Sequence, residues 1–582
     1  MAFASTLSLY SHPQVRLHHQ RLQSLAITAA GVAQLVRLPT LKSRRACSSG
    51  AKFRSFVVRA SSSVEGTPAR ATASRRVYRQ SQTNAPLSNA PVKQIGNFVA
   101  SVGAFFALTF VIWKVVEKLL GPTQKQLKSS TAESQSTSQG VKWSFAAGTN
   151  LLSQLGAKIE RQSKQKLNEF ARELRSFPSI DMSGRNFGDE GLFFLAESLA
   201  FNQIAEEVSF AANGITTAGL KAFDGVLQTN TTLKTLDLSG NLVGDEGAKC
   251  LCDILVNNSS IEKLQLNSAD LGDEGFSSLA GALLEHNTIR NIHLNGNYGG
   301  ALGANALAKA LESNKSLREL HLHGNSIGDE GIRSLMTGLS LHKGKLTLLD
   351  ISNNSLTSKG ALHVAEYIRK SRSLLWLNLY MNDIGDEGAE KIADALKENR
   401  SITTLDLGGN NIHVDGVSAI AKVLKDNLVI TTLELSYNPI GPDGAKALAE
   451  ILKFHGNIKT LKLGWCQIGA KGAEFIADAL KYNTTISILD LRANGLRDEG
   501  AQCLARSLKV VNEALTSLDL GFNEIRDDGA FAIAQALKSN EDVAVTSLNI
   551  ASNFLTKFGQ SALADARDHV FEMTEKEINI FL

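Results

Sequence analysis

Between Phe177 and Phe571 the apolar positions return at a fixed spacing. One turn of the pattern, Leu317-Arg-Glu-Leu-His-Leu-His-Gly-Asn-Ser-Ile-Gly-Asp-Glu-Gly331, recurs in variant form fourteen times. With the first residue as offset 0, the turns begin at 177, 205, 233, 261, 289, 317, 346, 374, 402, 430, 458, 486, 515 and 545; ten steps are 28 residues, two are 29 and one is 30. Such a period predicts a solenoid, since each unit can bury its apolar face only against its neighbours. Offsets 3 and 5 are apolar in every turn, as in Leu236 and Leu238, with mostly polar residues around them. Alternation of period two predicts a short strand with one face buried.

Offset 8 is Asn in eleven turns, the exceptions being Arg185, Ala269 and Cys466. Asn both donates and accepts, so inside a turn it can satisfy backbone groups that have lost a ladder partner. Offset 14 is Gly in all fourteen, from Gly191 to Gly559, which a site without room for a Cβ would require. Beyond it, apolar residues at offsets 15, 18, 19 and 22, such as Ala389, Ile392, Ala393 and Leu396, form one helical stripe. Asp and Glu just before the Gly, as in Asp386-Glu387-Gly388, are read as helix caps and not as an acid/base or metal array.

These positions resemble the leucine-rich repeat pattern L-x-x-L-x-L-x-x-N, and specifically its long, ribonuclease-inhibitor-like subclass. The repeat arrays of NOD-like receptors and Ran GTPase-activating protein are of that kind. The resemblance implies an α/β horseshoe of fourteen repeats, with a parallel sheet on the concave face and helices on the convex one. Strands about 4.8 Å apart beside helices that need about 8 to 10 Å force the stack to bend. For function the scaffold says less, because it serves inhibitors, receptors and GTPase regulators alike.

The net charge of +4 conceals an asymmetry. Residues 1–128 hold 18 Lys and Arg against Glu65 and Glu117, a balance of +16; the remainder holds 43 basic and 55 acidic residues, a balance of −12. An acidic solenoid without a basic stripe is a poor nucleic-acid binder, so none is expected as partner. The five cysteines make no C-x-x-C pair and are read as structural thiols.

Residues 1–60 contain no Asp or Glu and are rich in Ser, Thr and Ala, a composition that matches an organellar transit peptide. Val57-Val58-Arg59-Ala60 resembles the processing site of plastid precursors, which implies a chloroplast of a plant cell, with the mitochondrion as alternative. Residues 61–94 read as a disordered basic segment. Residues 95–113 run nineteen positions without a charge, end in Trp113 and are flanked by Lys93 and Lys114. At 1.5 Å per residue they span about 28 Å and predict a transmembrane helix, so an envelope or thylakoid membrane is expected. Residues 114–142 read as a flexible linker, 143–176 as a helical N-terminal cap and 177–564 as the repeats. A helix ending in Ile578-Asn579-Ile580-Phe581-Leu582 is expected to complete a C-terminal cap over 565–582.

Side chains at offsets 2, 4 and 6 face the concave side, and offset 7 opens the following loop. There Trp376, Tyr380 and Met381 come from one repeat, Tyr437 and Trp465 from successive repeats, and Phe522 from two repeats on. Asp406, Glu434, Lys462, Asp490 and Arg492 supply charges beside them. Aromatic residues with Arg are typical anchors of protein interfaces, so Trp376, Tyr380, Met381, Tyr437, Trp465, Arg492 and Phe522 form the candidate partner-binding surface. His293, His321 and His323 lie on two neighbouring concave strands. At offset 4 of the next repeats only Asp350 would complete a metal set, so these are read as ordinary surface histidines and no metal or cofactor is expected.

No phosphate-binding G-x-x-x-x-G-K-[ST] loop and no kinase, zincin or nucleophile-elbow signature occurs, so no catalytic residue is assigned. The sequence points to a non-enzymatic, membrane-tethered interaction scaffold, expected as a monomer, that binds a protein partner on the concave face. The alternative, by similarity to Ran GTPase-activating protein, is a GTPase-activating or GTPase-regulating protein.

Overall fold

A computed structural model of the chain describes residues 163–582 except 455, 510–513 and 541. The expected transit peptide, basic segment, transmembrane helix at 95–113 and linker lie outside these residues. Among the described residues no helix is long and apolar enough to cross a membrane.

Fifteen three-residue strands form one open parallel sheet in strict sequence order. They are β1 (Ser179–Asp181), β2 (Glu207–Ser209), β3 (Thr235–Asp237), β4 (Lys263–Gln265), β5 (Asn291–His293), β6 (Glu319–His321), β7 (Leu348–Asp350) and β8 (Trp376–Asn378), followed by β9 (Thr404–Asp406), β10 (Thr432–Glu434), β11 (Thr460–Lys462), β12 (Ile488–Asp490), β13 (Ser517–Asp519), β14 (Ser547–Asn549) and β15 (Asn579–Phe581). Each pairs with its successor at the same offset, as in Leu433 opposite Leu461, so one repeat's pattern becomes a row across the sheet. The residues at offsets 3 and 5 are all buried, and the helix stripe, as in Ala389, Ile392, Ala393 and Leu396, closes over them. This is the leucine-rich repeat solenoid, with the sheet concave and the helices convex.

The Asn row works as a ladder between repeats. Asn438 accepts at Oδ1 from the N–H groups of Asn410 and Ile412 in the preceding repeat, at 2.9 and 3.0 Å. It donates from Nδ2 to the carbonyls of Leu407 and Leu435, at 2.8 and 2.9 Å. All four hydrogen-bonding capacities of one fully buried amide are met. A second row, at the far end of the helices, was not legible in the repeat consensus. There Asn230 Nδ2 donates to Leu199 O at 2.6 Å, and its Oδ1 accepts from Thr232 and Leu233 N–H at 2.9 and 2.8 Å.

The carboxylates before the Gly do cap helices, but those of the next repeat. Asp386 Oδ1 accepts from His413 and Gly416 N–H, at 2.7 and 2.9 Å, and Asp498 treats Arg526 and Gly529 the same way, at 2.8 and 3.0 Å. That contact accounts for Gly416, where a Cβ would stand 2.6 Å from Asp386 Oδ1; at Gly388, Gly472 and Gly500 a Cβ would instead meet the Cβ of Ile384, Ile468 and Leu496, at 2.8, 2.7 and 2.9 Å.

At the first edge, residues 163–174 are helical and bury Ala171 and Leu174. Arg185, which replaces Asn in the first repeat, has no earlier turn to ladder with. It pairs with Glu173 at 2.7 Å and lies over the Phe170 ring, 4.4 Å from its centroid. At the other edge the expected closing helix stops early: Lys557–Thr574 is helical, and Glu575 then adopts the left-handed conformation. The apolar end becomes β15 and pairs with β14. The alternation Ile578-Asn579-Ile580 suits a strand, and the open edge of β14 supplies a ladder that a helix could not use.

Candidate partner-binding surface on the concave sheet

The backbone at offset 7 has a property that apolar patterning does not reveal. In all fourteen repeats it takes the left-handed conformation, with Gly at 184, 240, 296, 324 and 409. The geometry follows from the ladder, because the N–H of this residue still bonds the next repeat, as Tyr437 N does to Gly464 O at 2.8 Å, before the chain turns inward to the buried Asn. Glycine fits such a position without strain, whereas a bulky side chain there is an outlier. Yet Met381, Tyr437, Trp465 and Phe522 occupy it with φ of 56°, 62°, 60° and 58°. All four are exposed, between 42% and 56%.

Three of the aromatic side chains meet. Tyr437 stacks on Trp465, centroids 6.0 Å apart and planes 11° off parallel, and Tyr380 meets Tyr437 edge to face at 6.2 Å. Tyr380 reaches Tyr437 by crossing an intervening repeat that carries Gly408 and Gly409. A Cβ on Gly408 would lie 2.9 Å from the Tyr380 ring, and one on Gly409 would lie 2.7 Å from Met381 Sδ. Phe522 stands two repeats past Trp465, with Ala493 between, and extends the surface without joining the stack. Trp376 is half-buried at the start of β8, at the far end of the strand from Tyr380.

The charges lie along the same strands. Glu434 and Lys462 pair at 3.1 Å, and Asp490 and Arg492 at 2.6 Å, with the Arg492 side chain crossing Gly464, where a Cβ would meet its Cγ at 3.0 Å. Burial pushes the Asp406 carboxyl up to about 7, Glu434 and Asp350 adding to the effect while the Gly408 N–H and Lys462 oppose it. Asp490 is raised by burial in the same way. The Tyr380 phenol is pushed up to about 12 by burial and by its neighbours Tyr437, Asp406 and Glu434. The result is an exposed aromatic ridge beside half-buried carboxylates and one fixed guanidinium.

The three histidines do not stay together. His293 and His321, opposite each other on β5 and β6, stack at 4.0 Å with planes 19° apart. His323 Nδ1 instead meets Ser352 Oγ at 2.8 Å, and Asp350 is occupied with the backbone N–H of Ser352 at 3.1 Å. The carboxylate beside the pair is Glu319, whose Oε2 is 3.8 Å from His321 Nε2. Reading offset 4 alone missed it, although Glu-x-His on a strand puts both side chains on one face. Burial, His321 and Lys263 push His293 down to about 3, so its imidazole is neutral. The Cys252 and Cys466 thiols are buried and pushed up to about 12, which leaves them unreactive.

Comparison with known proteins agrees with this frame. The family described as "Leucine Rich repeat" matches at residues 229–252, 257–280, 313–336, 370–393, 398–421, 426–449, 457–477, 482–505 and 511–534. The chain thus carries an array of leucine-rich repeats, and that is the class of protein its fold defines. Among solved structures it is similar to an internalin (inlF) of Listeria monocytogenes, at 17% identity over 68% of this chain and 95% of that one, with a TM-score of 0.40. It is also similar to the yeast Rad7 and Elc1 complex, at 13% identity over 71% and 96%, TM-score 0.40. The tropomodulin C-terminal domain of Caenorhabditis elegans matches at 15% identity over 26% and 92%, TM-score 0.23. No curated protein sequence matches the chain.

Proposed function

We propose that the protein is a non-enzymatic scaffold that grips a protein partner with the ridge formed by Met381, Tyr437, Trp465 and Phe522, with Tyr380 and Arg492 beside it. The observation that carries this reading is the bulky side chain on left-handed backbone. An L side chain there costs roughly 1–2 kcal/mol; the same offset holds Gly in five other repeats and the small residues Ala, Ser or Asn in the remaining five. Strain kept at large side chains on four of six successive repeats calls for a return, and exposed aromatic anchors on a preformed surface bind with little further ordering. The 28-residue period and helices of about twelve residues support the ribonuclease-inhibitor-like subclass.

The setting belongs to the same proposal. The acid-free N-terminus and the Val58-Arg59-Ala60 site support import into a chloroplast, and the uncharged run at 95–113 supports a tether to an envelope or thylakoid membrane. Alkaline carbonate should then leave the mature protein in the membrane fraction; its release would remove the tether from the proposal. For the ridge, the test is affinity isolation from intact plastids with the wild type and with Tyr437→Ala/Trp465→Ala. A partner retained by the wild type and lost by the variant, at an unchanged melting transition, is expected. Equal retention by both would overturn the ridge as the binding surface.

A further inference from the structure

We propose that His293, Glu319 and His321 form a binding site for a divalent transition metal ion, with zinc as the reference ion, on the concave face of β5 and β6. The two histidines face each other across adjacent strands, and Glu319 precedes His321 by two residues on the same strand face. One ligand atom from each of the three residues falls within a group no wider than 4.8 Å. The Nε2 atoms of His293 and His321 are both buried and have no hydrogen-bond partner among the described residues.

Two orphaned ring nitrogens side by side demand an explanation, since buried polar atoms without a partner are uncommon and costly. A cation satisfies both with one atom. Metal–nitrogen distances of about 2.0–2.1 Å put the ligand atoms of a tetrahedral site about 3.4 Å apart, so the set closes by rotating the imidazoles until their planes converge. Nitrogen donors with one carboxylate suit zinc and its neighbours in the first transition row, not magnesium or calcium. Three protein ligands leave a fourth position for water or for a donor from whatever lies in the groove. Asp350 and His323 lie outside the group, Ser352 holding Asp350 Oδ1 and His323 Nδ1. Lys263 stands on β4 opposite Asn291, diagonal to His293, and opposes the bound charge. This site is independent of the aromatic ridge, which lies on later repeats.

The test uses the full chain, stripped with a chelator and dialysed, then titrated with cobalt(II) in the absence of chelator and back-titrated with zinc. One equivalent with the visible absorption of nitrogen-ligated, four-coordinate cobalt, displaced by zinc, is expected. His321→Gln and Glu319→Gln should each weaken that equivalent at least tenfold, His323→Gln should leave it unchanged, and Lys263→Gln should tighten it. Glu319→Gln keeps the size and shape of the side chain, and circular dichroism with a melting curve verifies that each variant is folded. Other histidines and cysteines contribute equally to every variant and cancel in the difference. Loss of the cobalt equivalent in both ligand variants supports the site. A wild type that takes up no cobalt, or folded His321→Gln and Glu319→Gln proteins that bind it as the wild type does, overturns it.

Discussion

The Tyr437 ring lies flat on that of Trp465, 6.0 Å between centroids, and both residues hold the left-handed backbone that glycine holds at the same offset elsewhere. Removing either ring therefore has two opposing effects on stability. An aromatic pair contributes about 0.5–1.5 kcal/mol beyond its burial, and relief of the left-handed strain returns a similar amount. Trp465→Gly is expected to stay within about 1 kcal/mol of the wild type in chemical denaturation, whereas Trp465→Val, β-branched and still strained, should be about 2 kcal/mol less stable than Trp465→Gly. If Val and Gly prove equally stable there, the strained backbone is not a cost that the ridge bears.

Asp406 gives the surface a titration near neutrality. Its carboxyl ionises at about 7 in the fold because burial, then Glu434 and Asp350, outweigh the Gly408 N–H and Lys462; unfolded, it ionises near 3.9. Between those values the folded chain holds a proton that the unfolded chain has released, so this group's contribution is complete below about pH 4 and is lost as pH rises through 7. With allowance for solvent access, the loss across the window should be on the order of 1–2 kcal/mol. Unfolding free energies at pH 4 and pH 8 should differ by that amount less in Asp406→Asn than in the wild type, and a difference left intact in the variant would assign the slope to other groups.

Asp386 and Gly416 form one device split between two repeats. The carboxylate accepts the Gly416 N–H at 2.9 Å, and a Cβ on Gly416 would lie 2.6 Å from the same oxygen and 3.0 Å from Asp386 Cα. Asp386→Ala leaves two helix N–H groups without an acceptor and should cost about 1–2 kcal/mol. Gly416→Ala should cost at least as much, and markedly less when Asp386 is already Ala. Additive losses in that double-mutant cycle would mean that the Gly is required by something other than the cap, such as Ile412.

The repeat frame was legible because its signals are local and recur: Leu433 and Leu435 mark a strand, Ala445, Leu448 and Ala449 a helix stripe, and register follows from period alone. Relations between repeats were less legible. Asp386 before Gly388 reads as a cap for its own helix, and only the stacked geometry turns it toward Gly416. At the candidate site, adjacency of Tyr437 and Trp465 follows from their shared offset, but the left-handed backbone beneath them leaves no mark in the sequence beyond the glycines at that offset in five other repeats. Tyr380 reaching across Gly408, and Glu319 joining His321, were missed for a common reason. Both depend on comparing different offsets, and a column-by-column reading holds the offset fixed.

The Asn ladder allows a gain as well as a loss to be anticipated. Asn438 meets four backbone groups inside the core, so Asn438→Ala should destabilise by about 3 kcal/mol or more, orphaned N–H and carbonyl groups adding to the lost bonds. In the next repeat Cys466 occupies the same position, fully buried; its Sγ meets the carbonyls of Leu435 at 3.3 Å and Gly464 at 3.6 Å and takes the backbone N–H of Asn438 as a weak acceptor. A thiol is only a weak acceptor for the N–H of Asn438, and the N–H of Ile440 turns to the carbonyl of Asn438 at 2.8 Å instead. Cys466→Asn restores an oxygen for the first and a second donor for the carbonyls, in a site whose neighbours already have the ladder's geometry. It should raise stability by about 1 kcal/mol, read as a higher denaturation midpoint at unchanged slope. A fall instead would mean that this repeat has closed around the smaller side chain and that the ladder's interruption here is built into the packing.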